Sequence, residues 1–197
     1  MLRLKRLILP LCTLLVACAG TREAERSPTL AHVPTQTLPD GHVAVLVREY
    51  DDEVKLDGGR EQRMHVRYLW DYTAAVAREI QTAPDGALLS DTSKPALTLN
   101  ATDAELAYAV ALLREDNAID ARFTADSDIY GGFSFREPGH EACDKASRCI
   151  HVIVSRDGGR YKVAHAIVDL QTARVIDPNY DPDLGGVLET PLKAANQ

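Results

Sequence analysis

Residues 102–115 read Thr-Asp-Ala-Glu-Leu-Ala-Tyr-Ala-Val-Ala-Leu-Leu-Arg-Glu, and this stretch decides the fold. Thr102 and Glu105 have the spacing of a capping box, in which a hydroxyl and a carboxylate satisfy the unpaired N–H groups of a helix start. The apolar residues that follow recur at i, i+4 and i+7 and form one stripe on a helix: Leu106, Val110 and Leu113. The stretch therefore predicts an amphipathic helix that ends near Asn117.

Predicted strands lie on both sides of this helix, with turn residues between them. The strands predicted before the helix are residues 42–48, 66–71, 74–81 and 87–90, and those after it are residues 150–155, 161–170 and 174–176. Pro84-Asp85-Gly86 predicts a hairpin in the first set, and Asp157-Gly158-Gly159 predicts a turn in the second. Strands, one helix and strands again favour an α+β domain, in which an antiparallel sheet carries the helix across one face.

The strand at residues 66–71 has an apolar face and a polar face. The apolar face holds Val66, Tyr68 and Trp70, and the polar face holds Arg67 and Asp71. Aromatic residues here and at Tyr72 could line a ligand surface, but aromatic residues on strands more often pack in a core. We therefore expect the aromatic face to be buried.

The start of the chain has the features of an export signal. Arg3, Lys5 and Arg6 are basic, and residues 7–16 are almost all apolar but too few to cross a bilayer, which takes roughly 20 apolar residues. The next tetrapeptide, Leu15-Val16-Ala17-Cys18, resembles the lipobox of bacterial lipoproteins. The resemblance implies cleavage before Cys18, acylation of Cys18 and, because Ala19 follows, sorting to the periplasmic face of the outer membrane.

The lipobox and the composition together divide the chain into three parts. Residues 1–17 are expected to be a signal peptide that is removed. Residues 18–40 are poor in apolar side chains and are expected to be a lipidated disordered tether. Such a tether reaches on the order of 25 Å. Residues 41–190 are expected to form a single α+β domain.

The charge of the chain limits its partners. The formal net charge is −7, and it becomes more negative when the basic residues of positions 1–17 are removed. An acidic surface repels phosphate backbones and anionic headgroups, so nucleic acid is not an expected partner. We expect the lipid anchor to attach the protein to the membrane, where an envelope protein is a candidate partner.

Two cysteines remain once Cys18 carries lipid and the signal peptide is removed. Cys143 and Cys149 are then an even pair in an oxidising compartment, which favours a disulfide that stabilises the fold by about 2 kcal/mol. The alternatives are free thiols and a soft-metal site in which His140 and His151 complete a tetrahedral set with both sulfurs.

A second candidate site comes from a resemblance in the last third of the chain. The segments His165-Ala166-Ile167-Val168-Asp169 and Val175-Ile176-Asp177-Pro178 resemble the His and Asp strands of transglutaminase-like cysteine peptidases. That resemblance implies a thiol hydrolase or transferase in which Cys143 is the nucleophile, His165 the base and Asp177 the residue that orients it. In that family the cysteine opens a helix, whereas the helix predicted here contains no cysteine.

A longer resemblance covers residues 99–176. The predicted helix, Phe133-Ser134-Phe135-Arg136-Glu137-Pro138 and the segment from Val168 to Val175 resemble the small cystatin-like domains that precede the catalytic domain of copper amine oxidases. These domains are α/β rolls without catalytic function. The sequence has no His-x-His copper pair, and Tyr180 lacks the threonine that precedes the cofactor tyrosine of the oxidases.

These observations favour a non-enzymatic binding or assembly module of the cell envelope, with no catalytic residues, metal or cofactor. The thiol enzyme that uses Cys143, His165 and Asp177 is the alternative function. The predicted functional residues are Cys18 for lipidation and Cys143 with Cys149 for the disulfide.

Overall fold

The computed structural model describes residues 30, 33–55, 58–116, 122–144 and 146–180. The expected signal peptide, the acylated Cys18 and most of the expected tether lie outside the described residues, as do Asn117 and residues 181–190. In the part of the chain that is described, no helix is long and apolar enough to cross a membrane.

The described residues form two antiparallel sheets and one helix, which confirms the predicted α+β class. The first sheet contains, in spatial order, β1 (Gln36–Thr37), β2 (Val43–Lys55), β3 (Glu61–Asp71), β4 (Val76–Thr82) and β5 (Leu88–Ser93). The helix α1 (Asp103–Glu115) follows, and the second sheet then contains β6 (Asp128–Ser134), β7 (Cys149–Arg156), β8 (Tyr161–Asp169) and β9 (Arg174–Asp177). Each strand pairs with its neighbour in the sequence.

The predicted capping box is present and starts α1. The Thr102 hydroxyl accepts from the backbone N–H of Glu105 at 3.2 Å, and the Glu105 carboxylate accepts from the backbone N–H of Thr102 at 2.8 Å. The helix contacts all four strands of the second sheet.

The first sheet begins earlier and extends further than the sequence predicts. Val33 and Leu38, which were expected in the tether, are buried, and β1 pairs with the start of β2. The strand expected at residues 42–48 continues to Lys55, because β2 and β3 form one long hairpin whose outer half is exposed and charged. The hairpin at Pro84-Asp85-Gly86 is confirmed and joins β4 to β5.

The main core lies between the two sheets and the helix. Trp70 and Tyr72 from the first sheet meet Ile150 and Val168 from the second, together with Leu113 of α1. The aromatic face of β3 is therefore in the core, as expected, although Tyr68 is only partly buried.

The expected polar face of β3 is also covered near its end. Leu69 packs with Leu38, Ala44 and Ile80 in a second apolar cluster on the opposite face from Trp70. Asp71, expected on a polar face, is fully buried there. The sequence pattern misses this because a period of two identifies the two faces of a strand but not a second layer folded over one of them.

Gly131 is required where β6 approaches β7, and we predict that Gly131→Ala destabilises the domain. A Cβ at this position would lie 2.2 Å from the backbone oxygen of His151, and φ is +139°. We expect a loss of more than about 1 kcal/mol in the free energy of unfolding, measured by urea denaturation.

Gly86→Ala is the matched control. Gly86 also has a positive φ, +86°, but a Cβ there meets no atom within 4 Å, so only backbone strain of about 1 kcal/mol is expected. Equal losses for the two variants would contradict the proposed backbone clash.

Candidate functional site

The two cysteines lie together at the start of the second sheet. Their Sγ atoms are 2.11 Å apart and their Cα atoms 5.7 Å apart, which is a disulfide distance. Both side chains are buried, and β7 begins at Cys149. The pair therefore ties residues 135–143 to the start of β7, where the Phe135 N–H also donates to the Cys149 carbonyl oxygen at 2.8 Å.

Two histidines face each other on neighbouring strands beside the cysteine pair. Nδ1 of His151 on β7 and Nε2 of His165 on β8 are 2.9 Å apart, which is a hydrogen bond between two imidazoles. Because Ile150 and Val152 face the core and side chains alternate along a strand, His151 lies on the sheet face turned away from the helix. One ring must donate and the other accept.

Aromatic rings enclose the histidine pair. Tyr180 lies 5.5 Å from the His151 ring and 5.0 Å from the His165 ring, and Phe135 lies 5.2 Å from the His151 ring, all between centroids. Tyr180 packs with Phe135 against the cysteine pair and covers this face of the second sheet.

His140 has a separate structural role. Its Nδ1 accepts from the backbone N–H groups of Ala142 at 3.1 Å and of Cys143 at 3.0 Å. Accepting at Nδ1 requires that this nitrogen carries no proton, so the ring closes the turn that leads into Cys143. His140 is therefore committed to the local backbone.

The three residues of the alternative thiol site each make another contact in the structure. The Cys143 sulfur is buried and lies at disulfide distance from Cys149, and the His165 ring bonds to His151. Asp177 accepts from the backbone N–H of Asn179 at 2.8 Å, as in a turn. Among the described residues no cluster of three or more His, Cys, Asp or Glu side chains is arranged to hold a metal ion.

Sequence reasoning misses a fully buried ion pair. Glu105 is 0 % exposed and Arg148 is 3 % exposed, and Glu105 Oε2 lies 3.0 Å from Arg148 Nη2. Arg148 Nε also donates to Glu105 Oε1 at 3.1 Å, and the Tyr72 hydroxyl donates to the same oxygen at 2.6 Å. Burial opposes the ionisation of Glu105, but the Arg148 guanidinium and the hydrogen bonds from Thr102 and Tyr72 together outweigh it and lower the pKa of that carboxyl.

Arg148 connects the helix start to both sheets. Its guanidinium donates to the carbonyl oxygens of Leu99 and Asn100 and lies over the Trp70 ring, 5.1 Å from the centroid. Its backbone N–H donates to Asp169 Oδ1 at 3.0 Å. Gln171 completes the connection, because it accepts from the Trp70 indole N–H at 3.2 Å.

A second polar cluster lies at the end of β3. Asp71 Oδ2 accepts from Arg78 Nη1 at 3.1 Å and lies 2.7 Å from His42 Nδ1. Its Oδ1 accepts from the backbone N–H groups of Thr73 and Ala74, so the buried carboxylate shapes the turn to β4. The hydrogen bond to Asp71 is the main cause that raises the pKa of His42.

Comparison with known proteins adds no functional assignment. No protein-family model matches the chain, and no curated protein matches it. The resemblances to the lipobox, to transglutaminase-like peptidases and to cystatin-like domains therefore remain sequence resemblances. The function has to be argued from the residues and their geometry.

We predict that the Glu105–Arg148 pair behaves as a coupled unit. Arg148→Met leaves a buried carboxylate without its cation and should lower the free energy of unfolding by about 3–5 kcal/mol. Glu105→Leu should lower the free energy of unfolding by a similar amount. The double variant should lower it by clearly less than the sum of the two single losses. A double-mutant cycle from urea denaturation measures the coupling.

Arg63→Met is the matched control for this cycle. Arg63 lies 3.7 Å from Glu53 in an exposed ion pair on the β2–β3 hairpin. Removal of an exposed pair should change the stability by less than about 1 kcal/mol. Additive losses at Glu105 and Arg148 would show that the two residues act independently.

We predict that His151 makes the domain less stable in acid. Burial lowers its pKa below the ordinary value of 6.5, so the unfolded chain binds more protons than the folded domain below that pH. The stability that His151 contributes is present above pH 6.5 and is lost as the pH falls through the lowered pKa. Unfolding free energies measured from pH 6.5 to pH 5 should fall, and His151→Gln should flatten this part of the profile.

His42 provides the opposite control. Because the pKa of His42 is raised, the stability that His42 contributes is fully present below pH 6.5. That stability is lost as the pH rises through the raised pKa. His42→Gln should therefore leave the acid part of the profile unchanged. An NMR titration in which the His151 ring titrates above 6.5 would exclude this explanation.

Proposed function

We propose that the protein is a lipid-anchored binding or assembly module of the bacterial cell envelope, without a catalytic activity of its own. Cys18 carries the lipid after removal of residues 1–17, and a tether joins it to the folded domain. The module stands on the periplasmic face of the outer membrane. Its partner is another envelope component and not nucleic acid.

The disulfide distance between Cys143 and Cys149 is the observation that carries this proposal. Disulfides persist in the periplasm and are rare in the cytosol, so a buried pair at disulfide distance supports the proposed export. The same pairing argues against thiol chemistry, because the thiolate is the nucleophile of such enzymes and a disulfide sulfur is not one.

The other reactive groups of the described residues also have structural partners. Glu105 pairs with Arg148, Asp71 with His42 and Arg78, and His140 with the backbone. Catalysis needs a group that can exchange protons or bonds with a substrate in an accessible site. Groups held in this way stabilise the fold, and this supports the proposal of a binding role and not a catalytic one.

Because the protein is acidic, the proposal attaches it to the membrane through lipid and not through electrostatic attraction. Anionic headgroups repel a chain of formal charge −7, so an unlipidated form gains little at a membrane surface. Two or more acyl chains on one cysteine hold a protein stably, whereas one chain holds it only marginally.

We predict that Cys18→Ala releases the protein from the membrane. The wild-type chain, expressed in a Gram-negative host, should sediment with outer-membrane vesicles and resist extraction by high salt. The Cys18→Ala chain should lose acyl mass at its N-terminus and leave the outer-membrane fraction. Intact-mass spectrometry and membrane fractionation measure the two effects.

Cys12→Ala is the matched control, because Cys12 lies within the expected signal peptide. This variant should be processed and sorted like the wild-type chain. A wild-type protein that begins with Met1, or that reacts quickly with an alkylating reagent at Cys143 without prior reduction, would contradict the proposal.

A further inference from the structure

A groove lies at the turn between β7 and β8, apart from the histidine pair and the cysteines. Its volume is about 700 Å³, and its lining consists of Asp126, Arg156, Asp157, Gly158 and Tyr161. The groove thus combines one aromatic ring with carboxylates, a guanidinium and open backbone.

Two exposed tyrosines border this turn. Tyr161 is 43 % exposed and Tyr130 is 46 % exposed, although large aromatic side chains usually bury more of their surface. The end of the Tyr130 ring lies over the turn, because a Cβ at Gly159 would be 3.2 Å from the Tyr130 hydroxyl. Gly159, with φ of +87°, leaves the space that this ring occupies.

The groove carries charges of both signs. Asp126 and Arg156 both line it and attract each other, and Arg160, on the same turn, places its Nη1 3.2 Å from Asp157 Oδ2. Each carboxylate of the lining therefore has a guanidinium as its counter-charge, and a strongly charged ligand would gain little here.

We infer that this groove binds a neutral saccharide chain, with Tyr161 and Tyr130 as the stacking rings. A sugar ring presents an apolar C–H face, which suits an exposed aromatic face, and an edge of hydroxyl groups, which suits planar carboxylate and guanidinium groups. A few polar groups beside an aromatic surface are the usual composition of a small-ligand site. This inference rests on the proposed binding function and gives the partner a chemical class.

Isothermal titration calorimetry of the full chain in detergent tests the inference. The probes are two neutral hexasaccharides, a β-1,4-linked oligomer of N-acetylglucosamine and an α-1,4-linked oligomer of glucose. At least one should bind the wild-type protein. Tyr161→Ala and Tyr130→Ala should each weaken binding about tenfold, whereas Tyr161→Phe, which keeps the ring, should bind like the wild type.

Phe133→Ala is the matched control. Phe133 is 56 % exposed on the same strand as Tyr130, at the end of β6 away from the turn, and should not affect binding. Circular dichroism verifies that each variant is folded.

Two results would overturn the inference: no heat of binding with either hexasaccharide, or equal weakening by Phe133→Ala and Tyr161→Ala. Neither result bears on the membrane anchor, because the Cys18→Ala experiment measures attachment without any saccharide. A protein that is released by Cys18→Ala but binds no saccharide would keep the proposed function and lose this partner.

Discussion

The buried ion pair between Glu105 and Arg148 is the interaction on which the rest of the structure depends. A buried ion pair is stable only when the remaining hydrogen-bond donors and acceptors of both side chains also have partners. Here Tyr72, the helix start at Thr102 and the carbonyl oxygens before it satisfy that capacity. The first sheet, the helix and the second sheet must therefore come together in one arrangement. The Cys143–Cys149 pair lies one residue from Arg148 and holds the same segment in place.

Reactive residue types are frequent in this domain, but the described ones mostly stabilise turns and junctions. Asp71 shapes the turn after β3, His140 closes the turn before Cys143, and Asp169 holds the backbone of Arg148. Histidines, acids and cysteines read from the sequence as candidate catalytic residues thus include several that hold the backbone. Tyr130 and Tyr161 are different, because both remain well exposed beside the β7–β8 turn.

Local features of the fold are predictable from the sequence, and features that join distant segments are not. The capping box, the β4–β5 hairpin and the cysteine pairing depend on residues a few positions apart, and all three are present. The sequence shows Glu105 only as a capping residue, because its contact with Arg148 spans 43 positions. The contact between His151 and His165 likewise depends on the β7–β8 register, which alternating apolar residues do not specify.

The position of Trp70 has a consequence for how this protein can be observed. It is the single tryptophan of the chain, and it lies where the two sheets meet, with its indole N–H on Gln171 and the Arg148 guanidinium over its ring. Its emission maximum reports on this junction and not on the exposed hairpin. Any event that separates the sheets, including one caused by a partner, becomes visible in the native chain without a fluorescent label.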